Sequence, residues 1–169
     1  MIHVVAGEPG HLIAMHALAP ADRRLALPAL KPVPGRRLSP ERSPYHAVQA
    51  QMALSESYAL FETPDDPAPF ALVGGATWPS GELEAWFVVR PGGLAPPLLL
   101  ALVRFARAMF GIRPPAMCFV RPDNDQGERL AKLLGFVKSD VVLGDHHQWR
   151  REHVDSGEAR RHSDRTERC

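Results

Sequence analysis

The sequence predicts a layered fold of the α/β (α+β) class in a single domain, and three observations lead there. Short β-branched or alternating runs interleave with runs of helical spacing along the chain. Their order, strand, two helices, three strands, helix, strand, helix, two strands, is buried by packing helices on a sheet. At 169 residues, 45% hydrophobic and 23% charged, the chain is long enough for one such domain with a real core.

The elements follow in order. "IHVV" is short, β-branched and stopped by Gly7, which predicts a first strand. Leu12, Ile13, Met15 and Leu18 recur near helical spacing and predict a helix from Glu8 to about Ala19, ended by Pro20. Prolines from Pro20 to Pro44 then punctuate an arginine-rich segment, read as a basic, partly polyproline-like loop. Ser43 before Pro44 is an N-cap followed by proline at the first helical position, opening a short helix through about Met52. "SYALFE" and "FALVGGATW", on either side of the turn "TPDDPAP", predict a hairpin, with the glycine pair Gly74 and Gly75 read as a bulge. In "ELEAWFVV", Glu82, Glu84 and Trp86 alternate with Leu83, Ala85, Phe87 and Val89, which puts the two sets on opposite faces of a strand.

Leu98 to Phe110 is apolar on nearly every side apart from Arg104 and Arg107, so a largely buried helix is expected, closed by Gly111. "AMCFV" reads as a buried strand, and Asp123 or Asn124 caps a helix through Leu134 with Gly135 in the C′ position. "FVKSDVVL" and "HHQWRRE" form a closing hairpin about Gly144 and Asp145. The chain beyond has almost no apolar residue and mixed charge, which predicts a disordered tail at 152–169 and leaves 1–151 as the domain.

Charge and composition exclude several classes. A net charge of +1 gives no reason to expect a nucleic-acid partner. Cys118 in the apolar run and Cys169 at the end are expected as two reduced thiols, which fits a cytoplasmic setting. No export segment or membrane anchor is expected, because the apolar stretch Leu94 to Val103 is broken by prolines and falls short of the roughly 20 residues a membrane helix needs. His146 and His147 are adjacent in a predicted strand and point to opposite faces, so they cannot share a metal, and both read as surface or capping histidines. His11 and His16 are five apart and do not align on a helix, so no metal is expected and they too read as surface or capping histidines.

The join between the strand ending at Val89 and the helix from Leu98 carries the chemistry. Arg90, Pro91, Gly92, Gly93, Leu94 and Ala95 fit the pattern Q/R-x-x-G-x-G/A position by position. Asn124, Leu130, Gly135 and Phe136 fall on the asparagine, leucine and glycine-phenylalanine places of a second motif. With these motifs at these places in the element order, the chain from Met1 to about Arg151 resembles the GCN5-related N-acetyltransferase (GNAT) superfamily. The resemblance implies a central mixed, mostly antiparallel twisted sheet flanked by helices. It also implies acetyl-CoA as co-substrate, an amine-bearing acceptor, and transfer of an acetyl group between them. Carried over residue by residue, it implies coenzyme binding by Arg90, Gly92, Gly93, Leu94, Ala95, Val88 and Asn124. It places the base that deprotonates the amine at Glu84, with Glu82 as the second candidate.

The chain departs from the family in two respects. Pro91, Pro96 and Pro97 carry no N–H, so the first helical turn offers two fewer donors to a phosphate than the family's loop. Ala131 follows Leu130 where the family often has the tyrosine that protonates the departing thiolate. A second expectation rests on these departures: a binding or structural protein that keeps the fold with weak or lost catalysis. Its strand sequences are similar to divergent GNAT-like proteins of tailed phages, some of them virion-associated.

Overall fold

The structure, a computed structural model, describes residues 2–17, 52–90, 92–111 and 115–151. The proline-rich basic loop, most of the second expected helix and the tail lie outside the described residues, although 52–54 are helical. The elements are β1 (His3–Ala6), α1 (Pro9–Ala17), β2 (Glu56–Phe61), β3 (Ala71–Thr77), β4 (Leu83–Val89), α2 (Pro96–Gly111), β5 (Ala116–Val120), α3 (Asp125–Leu133), β6 (Val137–Leu143) and β7 (His146–Arg151). Among the described residues the elements follow the expected order, with boundaries shifted by a residue or two.

One sheet of seven strands runs β1-β2-β3-β4-β5-β7-β6. Every neighbouring pair is antiparallel except β4 and β5, which are parallel. The crossover helix α2 supplies the connection a parallel pair requires. At the outer edge, β6 loses register against β7 between Lys138 and Val142. Irregularity of this kind on an edge strand discourages pairing with another chain.

The alternation in β4 assigns its faces as the sequence predicts. Leu83 and Ala85 join Leu98, Leu102, Val103, Ala106 and Phe110 of α2 and Leu130 and Ala131 of α3 in the larger core, with Phe87 and Val89 packed against it. Trp86 and Val88 point the other way, into a smaller cluster with Leu12 and Met15 of α1 and Phe61 and Leu72 of the sheet. Both α2 and α3 therefore cover one face of the sheet, and α1 lies on the other.

The glycine pair in β3 is not a bulge. Gly74 pairs with Trp86 and Gly75 with Ala85 in unbroken register. A Cβ at Gly74 would stand 2.2 Å from the Trp86 ring, and one at Gly75 would stand 2.9 Å from Leu83. Glycine is needed at Gly74, where the Trp86 ring of β4 lies across β3, while Leu83 crowds Gly75 less severely. The caps behave as expected. The Asn124 side chain accepts from the Gly127 amide at 2.9 Å, and Gly135 closes α3 at φ 85°.

Candidate active site

The parallel junction creates the opening. β4 and β5 pair at Leu83 with Ala116 and at Glu84 with Met117, and the pairing goes no further. Both strands continue beyond, β4 to Val89 and β5 to Val120, so they part toward their C-terminal ends. Glu84 stands at the vertex of this V. Trp86 does not fill it. Its ring lies over Gly74 of β3, on the side of β4 away from β5, and its Nε1 donates to Ser55 Oγ at 3.1 Å.

Glu84 is 8% exposed. A tight turn holds its partner in place: the Trp78 amide donates to the Glu82 carbonyl and the Gly81 amide to the Trp78 carbonyl, each at 2.8 Å, with Gly81 at φ 84°. From this turn Trp78 Nε1 donates to Glu84 Oε2 at 2.9 Å. A buried carboxylate costs free energy unless it is hydrogen-bonded. Glu82 precedes β4 and is only partly buried, and its carboxylate is tied up in an ion pair with Arg150 of β7. The structure thus separates the two glutamates, one buried at the vertex and one neutralised at the rim.

The cradle candidate begins where β4 ends, at Val89. Arg90 continues the hairpin, its amide donating to the Phe70 carbonyl at 3.0 Å. Pro91 lies outside the described residues. Gly92 and Gly93 both have positive φ, 90° and 81°, a region that side-chain-bearing residues avoid. The Ala95 carbonyl accepts from the amides of Leu98 and Leu99, so Ala95 caps α2 and Pro96 and Pro97 are its first two helical residues. Among the described residues, the amides of Gly92, Gly93, Leu94 and Ala95 donate to no protein acceptor. These four are the donors the loop has for an anion, beside the positive end of the α2 dipole. Positive-φ glycines and amides without protein acceptors are features a phosphate-binding loop uses, and the prolines leave this loop fewer donors than one lacking them.

The remaining assigned residues fall differently. Val88 is fully buried against the α1 cluster, so only its backbone can face a ligand. Asn124 uses its side-chain oxygen as the cap of α3. Arg90 is exposed, and its charge is felt at Asp66 in the β2–β3 turn. The Asp66 pKa is lowered chiefly by hydrogen bonds from the Thr63 amide and hydroxyl, both at 2.9 Å, with a smaller contribution from Arg90. Ala131 is buried in the core under α3 and offers no proton. Tyr58 stacks edge-on against Phe105 on the helix-covered face, and Tyr45 lies outside the described residues.

His146 is a correction. Rather than lying on the surface, it is 5% exposed, with Nδ1 2.7 Å from Asp145 Oδ1 and Nε2 buried and, among the described residues, without a hydrogen-bond partner. The register of β5 with β7 puts Gln148 beside Phe119 and Arg150 beside Met117, so His146, Gln148, Met117 and Glu84 share the α1 face. Sequence reasoning missed His146 because its burial depends on strand pairing that no local pattern reveals. His11 is a capping histidine as expected: its Nδ1 accepts from the Glu8 amide at 3.1 Å. Among the described residues no cluster of His, Cys, Asp or Glu is arranged for a metal, and no helix is long and apolar enough to cross a membrane. A groove of about 660 Å3 opens elsewhere, between β1 and the first half of α2. It meets the cradle helix through Pro97, which has no N–H, and neither Glu84 nor residues 92–95 line it.

No protein-family model and no curated protein matches the sequence. Solved structures do. A ribosomal-protein-S5-alanine acetyltransferase from Vibrio fischeri superposes with a TM-score of 0.55 at 13% identity, over 91% of this chain and 94% of that one. A protein inferred to be a phosphinothricin N-acetyltransferase gives 0.60 at 13% identity, over 92% and 100%. A variant of the spermidine N-acetyltransferase SpeG from Vibrio cholerae gives 0.55 at 13% identity, over 89% and 92%. At such identities the likeness speaks for the fold. In its sheet order and single parallel junction the chain has the fold of these solved acetyltransferase structures, the GNAT fold.

Proposed function

We propose that the protein transfers an acyl group, acetyl first, from an acyl-coenzyme A to the amine of an acceptor. One observation carries this reading: four amides at Gly92 to Ala95, without a protein acceptor among the described residues, stand at the mouth of a V whose vertex holds a buried carboxylate. From Glu84 to Arg90 is six residues of extended strand, about 20 Å. A pyrophosphate on the loop thus lets an extended pantetheine arm run between β4 and β5 toward Glu84. There Glu84 takes a proton from the acceptor ammonium, directly or through water. The amine nitrogen then forms its bond to the acyl carbon as the carbon–sulfur bond breaks. The departing thiolate takes, by way of water, the proton that the acylated nitrogen sheds, since Ala131 has no proton to give. The solved structures of similar fold that are named as N-acetyltransferases support the reaction class.

A second reading is favoured by specific residues: Pro96, Pro97 and Ala131 all remove groups the reaction uses, which suits a GNAT-fold binding or structural protein with weak or lost catalysis. Thiol release during incubation with acetyl-CoA and a panel of polyamines, aminoacyl peptides and amino sugars separates the two. Turnover of any amine that vanishes in Glu84→Gln supports the enzyme. Binding of acetyl-CoA with no acceptor consumed supports the second reading.

A further inference from the structure

The donors removed from α2 have a replacement on α3. A Cβ at Gly93 would stand 3.9 Å from the side-chain nitrogen of Gln126, so Gln126 reaches across to the loop from the first turn of α3. The side chain of Gln126 is exposed and, among the described residues, has no hydrogen-bond partner. Its neighbours are already committed. Asp123 is clamped by Arg121 at 2.7 Å, Glu128 is 3.3 Å from Lys138 Nζ, and Asn124 caps the helix. Among the side chains of this turn, it is the Gln126 amide nitrogen that lies beside Gly93 of the loop. The absence of a Cβ at Gly93 leaves the space between them open.

We propose that Gln126 is a further coenzyme-binding residue: its side-chain amide donates to the phosphate that the amides of Gly92 to Ala95 hold, replacing donors lost at Pro96 and Pro97. The phosphate is then gripped between two helix starts, α2 from one side and α3 from the other. This inference rests on the coenzyme reading above and adds to it a residue that neither motif contains. The acidic first turn of α3 works against an anion, and Asp125 is the carboxylate there without an ion-pair partner among the described residues. A neutral donor at 126 offsets that repulsion, where a carboxylate would add to it.

Calorimetric titration of acetyl-CoA into the full chain and into Gln126→Ala and Gln126→Glu tests it. A lost hydrogen bond to a charged group predicts affinity about tenfold weaker in Gln126→Ala. Gln126→Glu is expected to be weaker still, since it replaces a donor with a like charge. Glutamate in a first helical turn favours the helix, so a fall in affinity there is not unfolding. Wild-type affinity in Gln126→Ala, or Gln126→Glu binding as well as Gln126→Ala, overturns the inference while leaving the coenzyme reading intact. Failure of the unmodified chain to bind acetyl-CoA overturns the coenzyme reading itself, and the role of Gln126 with it.

Discussion

The two faces of the sheet are built to different rules. On the face covered by α2 and α3, the interior is aliphatic and aromatic, from Leu60 and Val73 through Leu102 and Phe110 to Phe136 and Trp149. On the α1 face the apolar cluster stops at β4, and all four polar side chains buried among the described residues lie on it: Ser57, Glu84, His146 and Gln148. Burying a polar group costs free energy unless it is satisfied, so a fold selected for stability alone has little use for this arrangement. The buried groups are held by neighbours, Glu84 by Trp78, Gln148 by Ser139 and Met117, and His146 by Asp145. One face specifies the fold, and the other is where chemistry is expected.

The contrast is open to breaking, beginning with the helix-covered face. Leu102 is completely buried in α2, and Leu102→Ala should cost about 2–5 kcal/mol of unfolding free energy from lost burial and the cavity left behind. Urea denaturation measures this, and the folded fraction should keep its acetyl-CoA affinity. The mirror-image outcome is expected at Glu84. Glutamine keeps an acceptor for Trp78 Nε1, so Glu84→Gln should leave stability within about 1 kcal/mol while turnover falls by roughly 100-fold or more. Equal loss of stability and turnover there would mean that the carboxylate only holds the turn.

Smaller effects sharpen the picture around the loop. Replacing Pro96 and Pro97 together with alanine returns two N–H groups to the first turn of α2. It should leave the fold intact and tighten acetyl-CoA binding by several-fold, on the order of 1 kcal/mol. Unchanged or weaker affinity would show that the prolines do not limit the cradle. The smallest effect is at Asp66. Its pKa lies below the ordinary 3.8, so it supports the fold above that value and the support is lost as pH falls through the lower folded value. Acid unfolding of Asp66→Asn should therefore show a shallower dependence on pH below about 4 than the unmodified chain.

Much of the fold was legible in the sequence because local rules governed it. The alternation from Glu82 to Val89 gave both faces of β4, and Asn124 and Gly135 marked the two ends of α3. The motif residues also led to the loop. What escaped was set by contacts distant along the chain. Gly74 and Gly75 looked like a bulge until Trp86 and Leu83 were seen lying across them. Glu84 became a vertex only through the register of β5, more than thirty residues later. The burial of His146 and the approach of Gln126 to Gly93 arise in the same way, from elements that the sequence orders but does not bring together.

The central claim is that the loop from Arg90 to Ala95 holds an acyl-coenzyme A whose acyl end reaches Glu84. Calorimetric titration of acetyl-CoA at up to millimolar concentration into the unmodified chain and into Glu84→Gln tests it most directly. Saturable one-to-one binding that Glu84→Gln retains, alongside loss of amine acetylation, is the predicted result. No binding heat at millimolar acetyl-CoA in the unmodified chain would contradict it.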